Sequence, residues 1–262
     1  MTAPVSIDEP RSAPRVSTLD RAVSSALAAT ELDRFVACLS DLNEADGATP
    51  TACADWDVRA MASHVLGMTQ MFSSYLQNAR QHLPAARSAK RGALYIDALN
   101  ARQVADRGRL SLASIRTELA AVAPHNVRWR ARTPALLRNR TMPGAQPVNG
   151  APGADEELWT FGYLFDTILT RDTWMHRTDI ALATGTPLEL SADHDGTIVD
   201  DVVTEWSSRH TEPYELHLTG AAGGRWSRGS GGAVIELDAV DFCRVLSGRG
   251  DAHGLMTVGV PF

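Results

Sequence analysis

Along the first two thirds of the chain, apolar residues recur mainly at three- and four-residue steps, the spacing that holds side chains on one face of an α-helix. Leu19, Val23, Ala26, Leu27, Phe35, Val36, Leu39 and Leu42 predict a helix from Thr18 to about Leu42. Asp46-Gly47-Ala48-Thr49-Pro50 breaks that pattern. Asp55 is placed to cap a second helix, from Trp56 to about Arg80, striped by Val58, Met61, Val65, Met68, Phe72 and Tyr75 and closed by Pro84. A third helix is expected from about Leu94 to Gly108, and a fourth from Leu112 to Val122, capped by Ser111 and stopped by Pro124. The span from Arg128 to Ala154 has weak periodicity, four prolines and several glycines, and reads as a long loop. A long amphipathic helix from Leu158 to Ala183 follows, with Phe165, Ile168, Leu169, Met175, Ile180 and Ala183 as its stripe, Gly185 at its C-cap and Pro187 beyond.

After Pro187 the period changes. Ile198, Val202 and Trp206 mark one helix, Tyr214–Leu218 alternates as a strand, and Val234–Leu237 reads as another, with Gly223-Gly224 and Gly229–Gly232 as turns. Asp238 caps a helix through Phe242, Val245 and Leu246 that ends at Gly248, and Leu255–Val260 reads as a last strand. The expected class is α+β: an N-terminal up-and-down four-helix bundle followed by a small α+β domain. The expected division is a disordered arm at 1–17, the bundle at 18–186 and the small domain at 187–262.

Net charge of −6 and a pI near 5.7 exclude a broadly basic, nucleic-acid-binding surface. Two local basic runs, Arg87–Arg91 and Arg128–Arg140, read as a solvated helix face and a mobile loop. Cys38, Cys53 and Cys243 are widely spaced and form no CxxC pair, which supports neither a disulfide framework nor a thiolate zinc cluster and suits a reducing cytoplasm. No secretory h-region and no membrane-spanning run is present, and with no large apolar stripe left unassigned the expectation is a monomer.

Asp172 and His176 stand four residues apart near the end of the long helix and leave the same face, on or beside its apolar stripe. Inward ionisable groups need a partner: either the two form a hydrogen-bonded pair in the core, or they are two ligands of a metal ion. His64 points to the packed side of the second helix, as a satisfied core imidazole or a further ligand. The Gly220–Gly232 segment lacks GxxxxGK[ST] and is read as hairpin turns, and neither GxSxG nor HExxH occurs.

Three stretches taken together resemble the mycothiol-dependent maleylpyruvate isomerase family, within the DinB-like metal-binding helix bundles. Pro50-Thr51-Ala52-Cys53-Ala54-Asp55-Trp56-Asp57-Val58-Arg59-Ala60-Met61-Ala62-Ser63-His64 is similar to a signature whose histidine is a metal ligand. Asp172 through Asp179 resembles the family's "E...H..D" helix, with Asp172 in place of its Glu, and Val245-Leu246-Ser247-Gly248-Arg249-Gly250 is similar to its "l.GRg" turn. The resemblance implies one site built by His64, Asp172 and His176, a divalent ion, zinc by default, and mycothiol as the thiol cofactor or co-substrate. Three protein ligands leave an open position, the arrangement of a catalytic site. Asp172 reaches one methylene less than the family Glu, and Asp179 is the alternative acidic partner or a group that orients an imidazole. Arg249 is the candidate for holding a substrate carboxylate or developing negative charge, its alternative being a surface or C-capping arginine. The implied activity is cis-trans isomerisation or S-transfer on a small electrophile; a metal-dependent hydrolase and a non-catalytic ligand-binding bundle are the alternatives.

Overall fold

The computed structural model describes residues 13–89, 95–149 and 155–262. Four long helices form the bundle: α1 Arg21–Ser40, α2 Val58–Met71, α5 Leu112–Arg132 and α8 Leu169–Thr184. Each of α1 and α2 packs against both α5 and α8, so α1 and α2 face each other across the ring. Between α2 and α5 the chain adds a helical pair, α3 Tyr75–Ala89 and α4 Tyr95–Arg107, which lean on α2. Short helices α6 Ala135–Arg138 and α7 Phe161–Tyr163 flank a two-stranded ribbon, β1 Gln146–Pro147 against β2 Glu156–Glu157. A π turn, Leu164–Ile168, joins α7 to α8.

The C-terminal unit carries α9 Thr197–Ser208, β3 Tyr214–Thr219, β4 Gly224–Arg228, β5 Ala233–Asp238 and α10 Ala239–Leu246. Its sheet has the order β4-β3-β5, with β3 antiparallel to β4 and parallel to β5. Tyr214, Leu216 and Leu218 bury one face of β3 beneath α9 and α10 in a core that also takes Leu27, Trp174 and Met175 from the bundle. The α+β class read from the sequence describes this architecture.

Local chemistry explains where element boundaries differ from expectation. The cap of α2 is Asp57, which accepts the Ala60 N–H at 2.7 Å, and not Asp55. The helix expected to run to Arg80 stops at Met71, because Ser74 starts a new one by accepting the Gln77 N–H. Pro84 lies inside α3 and Pro124 inside α5, so neither is a stop. Leu94 and residues 150–154 of the expected loop lie outside the described residues, but α5 runs on to Arg132 through half of the basic stretch. That stretch is not simply solvated: Arg130 and Arg138 are buried and bind Phe165 O and the Asp166 carboxylate. Residues 1–12 lie outside the described residues, and residues 15–17 lie against the rest of the chain. Arg15 pairs with the chain at Leu158 and Thr160 through two backbone hydrogen bonds of 2.7 and 3.0 Å, and Ser17 meets Thr167. Among the described residues, β4 went unread because Gly224-Arg225-Trp226-Ser227-Arg228 carries one large apolar residue, and the expected last strand contains instead the 3-10 turn Gly254–Thr257. No described helix is long and apolar enough to cross a membrane.

Helix α8 is the axis of the molecule. All but one of the residues from Leu169 to Ala181 are buried, charged ones included, because each face meets a different neighbour. Ile180 enters the bundle core, Trp174 and Met175 the C-terminal core, and Leu169 a third apolar cluster with Phe72, Phe165 and Leu164. Arg171 binds Asp201 and Glu205 of α9, at 2.6 and 2.8 Å. Arg177 binds Glu31 of α1 at 2.7 Å and Asp195 of the turn before α9 at 2.9 Å. Asp172 and His176 remain, and they face α2.

Candidate metal centre

The Asp57 cap fixes the start of α2 and thereby the helical phase of His64, two turns in, which turns its ring toward α8. Asp172 and His176, one turn apart on α8, answer it. His176 Nε2 lies 3.3 Å from Asp172 Oδ1 and His64 Nε2 lies 3.6 Å from Asp172 Oδ2. One donor atom from each of the three residues falls within 4.8 Å of the others. The imidazoles are almost wholly buried, at 5 and 6 % side-chain exposure, and the carboxylate is 20 % exposed.

These spacings bear on what the cluster is for. A good hydrogen bond between a nitrogen and an oxygen is about 2.7–3.2 Å long, and a contact at about 3.6 Å is not one. Donors held about 2.0–2.2 Å from a tetrahedral ion stand about 3.3–3.6 Å apart. The two nitrogen–oxygen separations match the second range. Burial alone would raise the Asp172 pKa, but His176 and His64 hold it far below the usual carboxylate range. Burial alone would lower that of His176, yet the Asp172 carboxylate carries it up to about 9. The pocket thus draws positive charge to a point between two imidazoles and a carboxylate, and these residues fit a divalent cation.

Asp179 stands behind His176, not among the three: its Oδ2 is 3.7 Å from His176 Nδ1, while Nε2 faces Asp172. Arg249, in the turn after α10, donates its Nε to Asp179 Oδ2 at 2.8 Å, and its Nη2 reaches Cys53 Sγ at 3.7 Å. Burial would raise the Asp179 pKa, but His176 and Arg249 lower it. The Cys53 thiol is pushed up by burial, an effect Arg249 only partly offsets. Trp56 closes the site, its ring 4.7 Å from that of His64 and 5.6 Å from that of His176. A second acidic group with a histidine, Glu31, His194 and Asp195, is buried elsewhere, but its carboxylates already accept from Arg177 and Arg34.

Beside the three residues opens a cavity of about 850 Å³, which runs between α2 and α8 toward the α3–α4 pair. The family resemblance named His64, Asp172, His176 and Arg249, and the structure brings all four to one end of this cavity. Trp174, two residues before His176, is in the core and donates to Asp195 at 2.9 Å. The aromatic wall escaped the sequence reading. Trp129 lies past Pro124, the expected end of the fourth helix, although Leu119, Val122 and Asn126 carry the helical step to it.

Comparison with known proteins places this arrangement. Residues 28–181 match the model of the mycothiol maleylpyruvate isomerase N-terminal domain. Among solved structures, a mycothiol-dependent maleylpyruvate isomerase superimposes with a TM-score of 0.55 at 15 % identity, over 88 % of this chain and 90 % of its own. A mutant of that isomerase gives a TM-score of 0.53 at 14 % identity, with the same coverage. No curated protein matches. The matched span exceeds half of the chain and contains His64, Asp172, His176 and Asp179, and on that ground the protein belongs to the mycothiol maleylpyruvate isomerase family.

Proposed function

We propose that this protein is a metal-dependent enzyme that uses mycothiol to isomerise, or to transfer sulfur to, a small electrophilic substrate. The observation that carries the reading is the convergence of His64, Asp172 and His176, buried between α2 and α8 with one donor atom of each within 4.8 Å of the others, a set that suits three ligands of one divalent ion. In this reading the bundle, residues 18–186, contributes the three ligands and the C-terminal unit, residues 187–262, contributes Arg249.

A bound divalent ion, zinc by default, supplies the positive charge that keeps a thiol deprotonated at neutral pH. The residues of the chain do the rest. With the ion bound, His64 and His176 would offer their Nε2 atoms as ligands, and Asp172 would supply the anionic arm despite its shorter reach than glutamate. Asp179 sets a negative charge behind the His176 ring on its Nδ1 side, and the hydrogen bond from Arg249 favours its ionised form. The remaining N–H groups of Arg249 face the cavity and suit an oxygen on which negative charge develops. Trp56 and the apolar walls exclude water, which favours addition of the thiolate to carbon over hydrolysis.

The test is elemental analysis of the purified protein beside His64→Ala and His176→Ala variants, followed by turnover of a conjugated enone with and without thiol. The expected result is near-stoichiometric metal in the wild type, little in either variant, and turnover only with thiol. Metal retained in both variants, or none in the wild type, overturns the site. Turnover without thiol overturns the reaction and favours the hydrolase.

A further inference from the structure

The cavity is far larger and far more apolar than a small anion requires. It extends from the three-residue cluster toward the C-terminal end of α2 and the N-terminal end of α8. Met68, Met71 and Phe72 line it on α2, so the wall runs about 12 Å from His64 to Phe72 at about 1.5 Å per residue. Leu169, Phe165 and Phe161 line the facing side. Trp129 meets Phe72 and Phe165 at ring separations of 5.6 and 5.4 Å, closing an aromatic sleeve. A ligand that stopped at the metal would leave this sleeve unfilled.

Charge points the same way. Among the described residues that line the cavity, Arg249 is the one arginine and no lysine is present. Its Nε is already given to the Asp179 carboxylate, so the pair is close to neutral. A substrate with a second, remote carboxylate would bury that charge among aromatic rings, with no arginine or lysine facing it among the described lining residues of the sleeve. At the far end, Asn78 and Asn100 offer neutral amides.

We infer that the substrate is an elongated, uncharged-tailed electrophile: a conjugated carbonyl compound whose reactive end sits at His64, Asp172 and His176 and whose aliphatic or aromatic tail fills the sleeve walled by Phe72, Trp129 and Phe165. This rests on the proposed thiol chemistry for the reactive end only. The sleeve selects the tail by area removed from water, independently of the reaction.

The experiment uses the full chain as purified with its metal, and saturated methyl ketones with propyl, hexyl and nonyl tails as unreactive probes, followed by quenching of tryptophan fluorescence. The dissociation constant falls about three- to fourfold per added methylene until the sleeve is full. A nonyl-length probe ending in carboxylate binds at least tenfold more weakly than the neutral one. Met142 and Leu137 line the cavity and are half-buried, and Met142→Glu and Leu137→Glu each weaken the nonyl ketone at least tenfold while leaving the propyl ketone unchanged. A flat chain-length series, or tighter binding of the carboxylate probe, overturns the inference. The two readings fail separately. Chain-length dependence that survives in metal-stripped protein, with no thiol-dependent turnover of the matching enones, supports the apolar substrate and overturns the reaction. Thiol-dependent turnover of short enone acids with no gain from a longer tail overturns the apolar substrate and leaves the reaction standing.

Discussion

Replacing Arg177 by Met removes the cation at the centre of a buried charge cluster that ties the C-terminal unit to the bundle. Arg177 is 3 % exposed, Glu31 1 % and Asp195 0 %. The guanidinium makes two bonds to Glu31, of 2.7 and 3.1 Å, one to Asp195 of 2.9 Å and one to Glu189 O of 3.1 Å. Without it, Asp195 keeps Arg34, Trp174 and the Ser191 N–H, whereas Glu31 keeps only His194, at 2.8 Å. The damage therefore falls on Glu31, a carboxylate on α1 with no route to water. Removing one partner of a buried pair costs about 3–5 kcal/mol, against about 5–15 kcal/mol for a whole protein. With about 2–4 °C of melting temperature per kcal/mol in chains of this size, Arg177→Met lowers Tm by roughly 6–20 °C. Urea unfolding followed by circular dichroism and by tryptophan fluorescence measures it. The double variant Arg177→Met/Glu31→Leu recovers part of the loss, because the stranded charge is gone. A loss under about 1 kcal/mol at unchanged urea dependence, or a double variant as weak as the sum of the singles, would refute the reasoning.

Three further outcomes are expected. Asp179→Asn removes the anion behind His176 and weakens metal affinity by about 10- to 100-fold in a chelator competition, and equal affinities would deny Asp179 that role. In Asp195 and Glu205 burial raises the pKa, but hydrogen bonds and nearby arginines outweigh it and both end below their ordinary values of 3.8 and 4.5. Acids so depressed contribute stability that is present above those ordinary values and lost as pH falls through the folded-state ones, so the urea midpoint drops below about pH 4.5 and drops less in Glu205→Gln. Arg130→Met leaves the Phe165 carbonyl of the π turn without its buried donor and costs about 1–3 kcal/mol in urea unfolding, and an unchanged midpoint would show that water serves that carbonyl as well.

The helices were legible because their apolar residues repeat with the helical period, and the N-terminal serine of α5 and Gly185, at φ 71°, could be named from residue type alone. The pair Asp172 and His176 was legible for the same reason, four residues being one turn. His64 was not joined to them by any pattern in the residues themselves; only the family resemblance linked positions more than a hundred residues apart. Two kinds of information stayed hidden. Prolines 84 and 124 read as stops because their lost hydrogen bond is local, whereas the packing that holds α3 and α5 straight through them is tertiary. Nothing in the sequence of α8 names the partners of Arg171 and Arg177, because Glu31, Asp201 and Glu205 come from elements far along the chain. The cavity wall was hidden too, since residues of seven helices, α2 to α8, converge on it and none advertises the others.

The π turn at Leu164–Ile168 bears on how such a protein can change. A π turn holds one residue more than an α turn, and one residue of helix is about 100° of rotation. The aromatic segment before it and the Asp172–His176 segment after it therefore keep different phases on what looks like a single rod. Deleting one residue within the turn would leave the donor atoms facing His64 and swing Phe161 and its neighbours away from the sleeve. In the proposed reading the ligands of the ion and part of the apolar sleeve occupy separate lengths of one helix, so losing three nucleotides within the turn would rotate one against the other without changing the sequence of either.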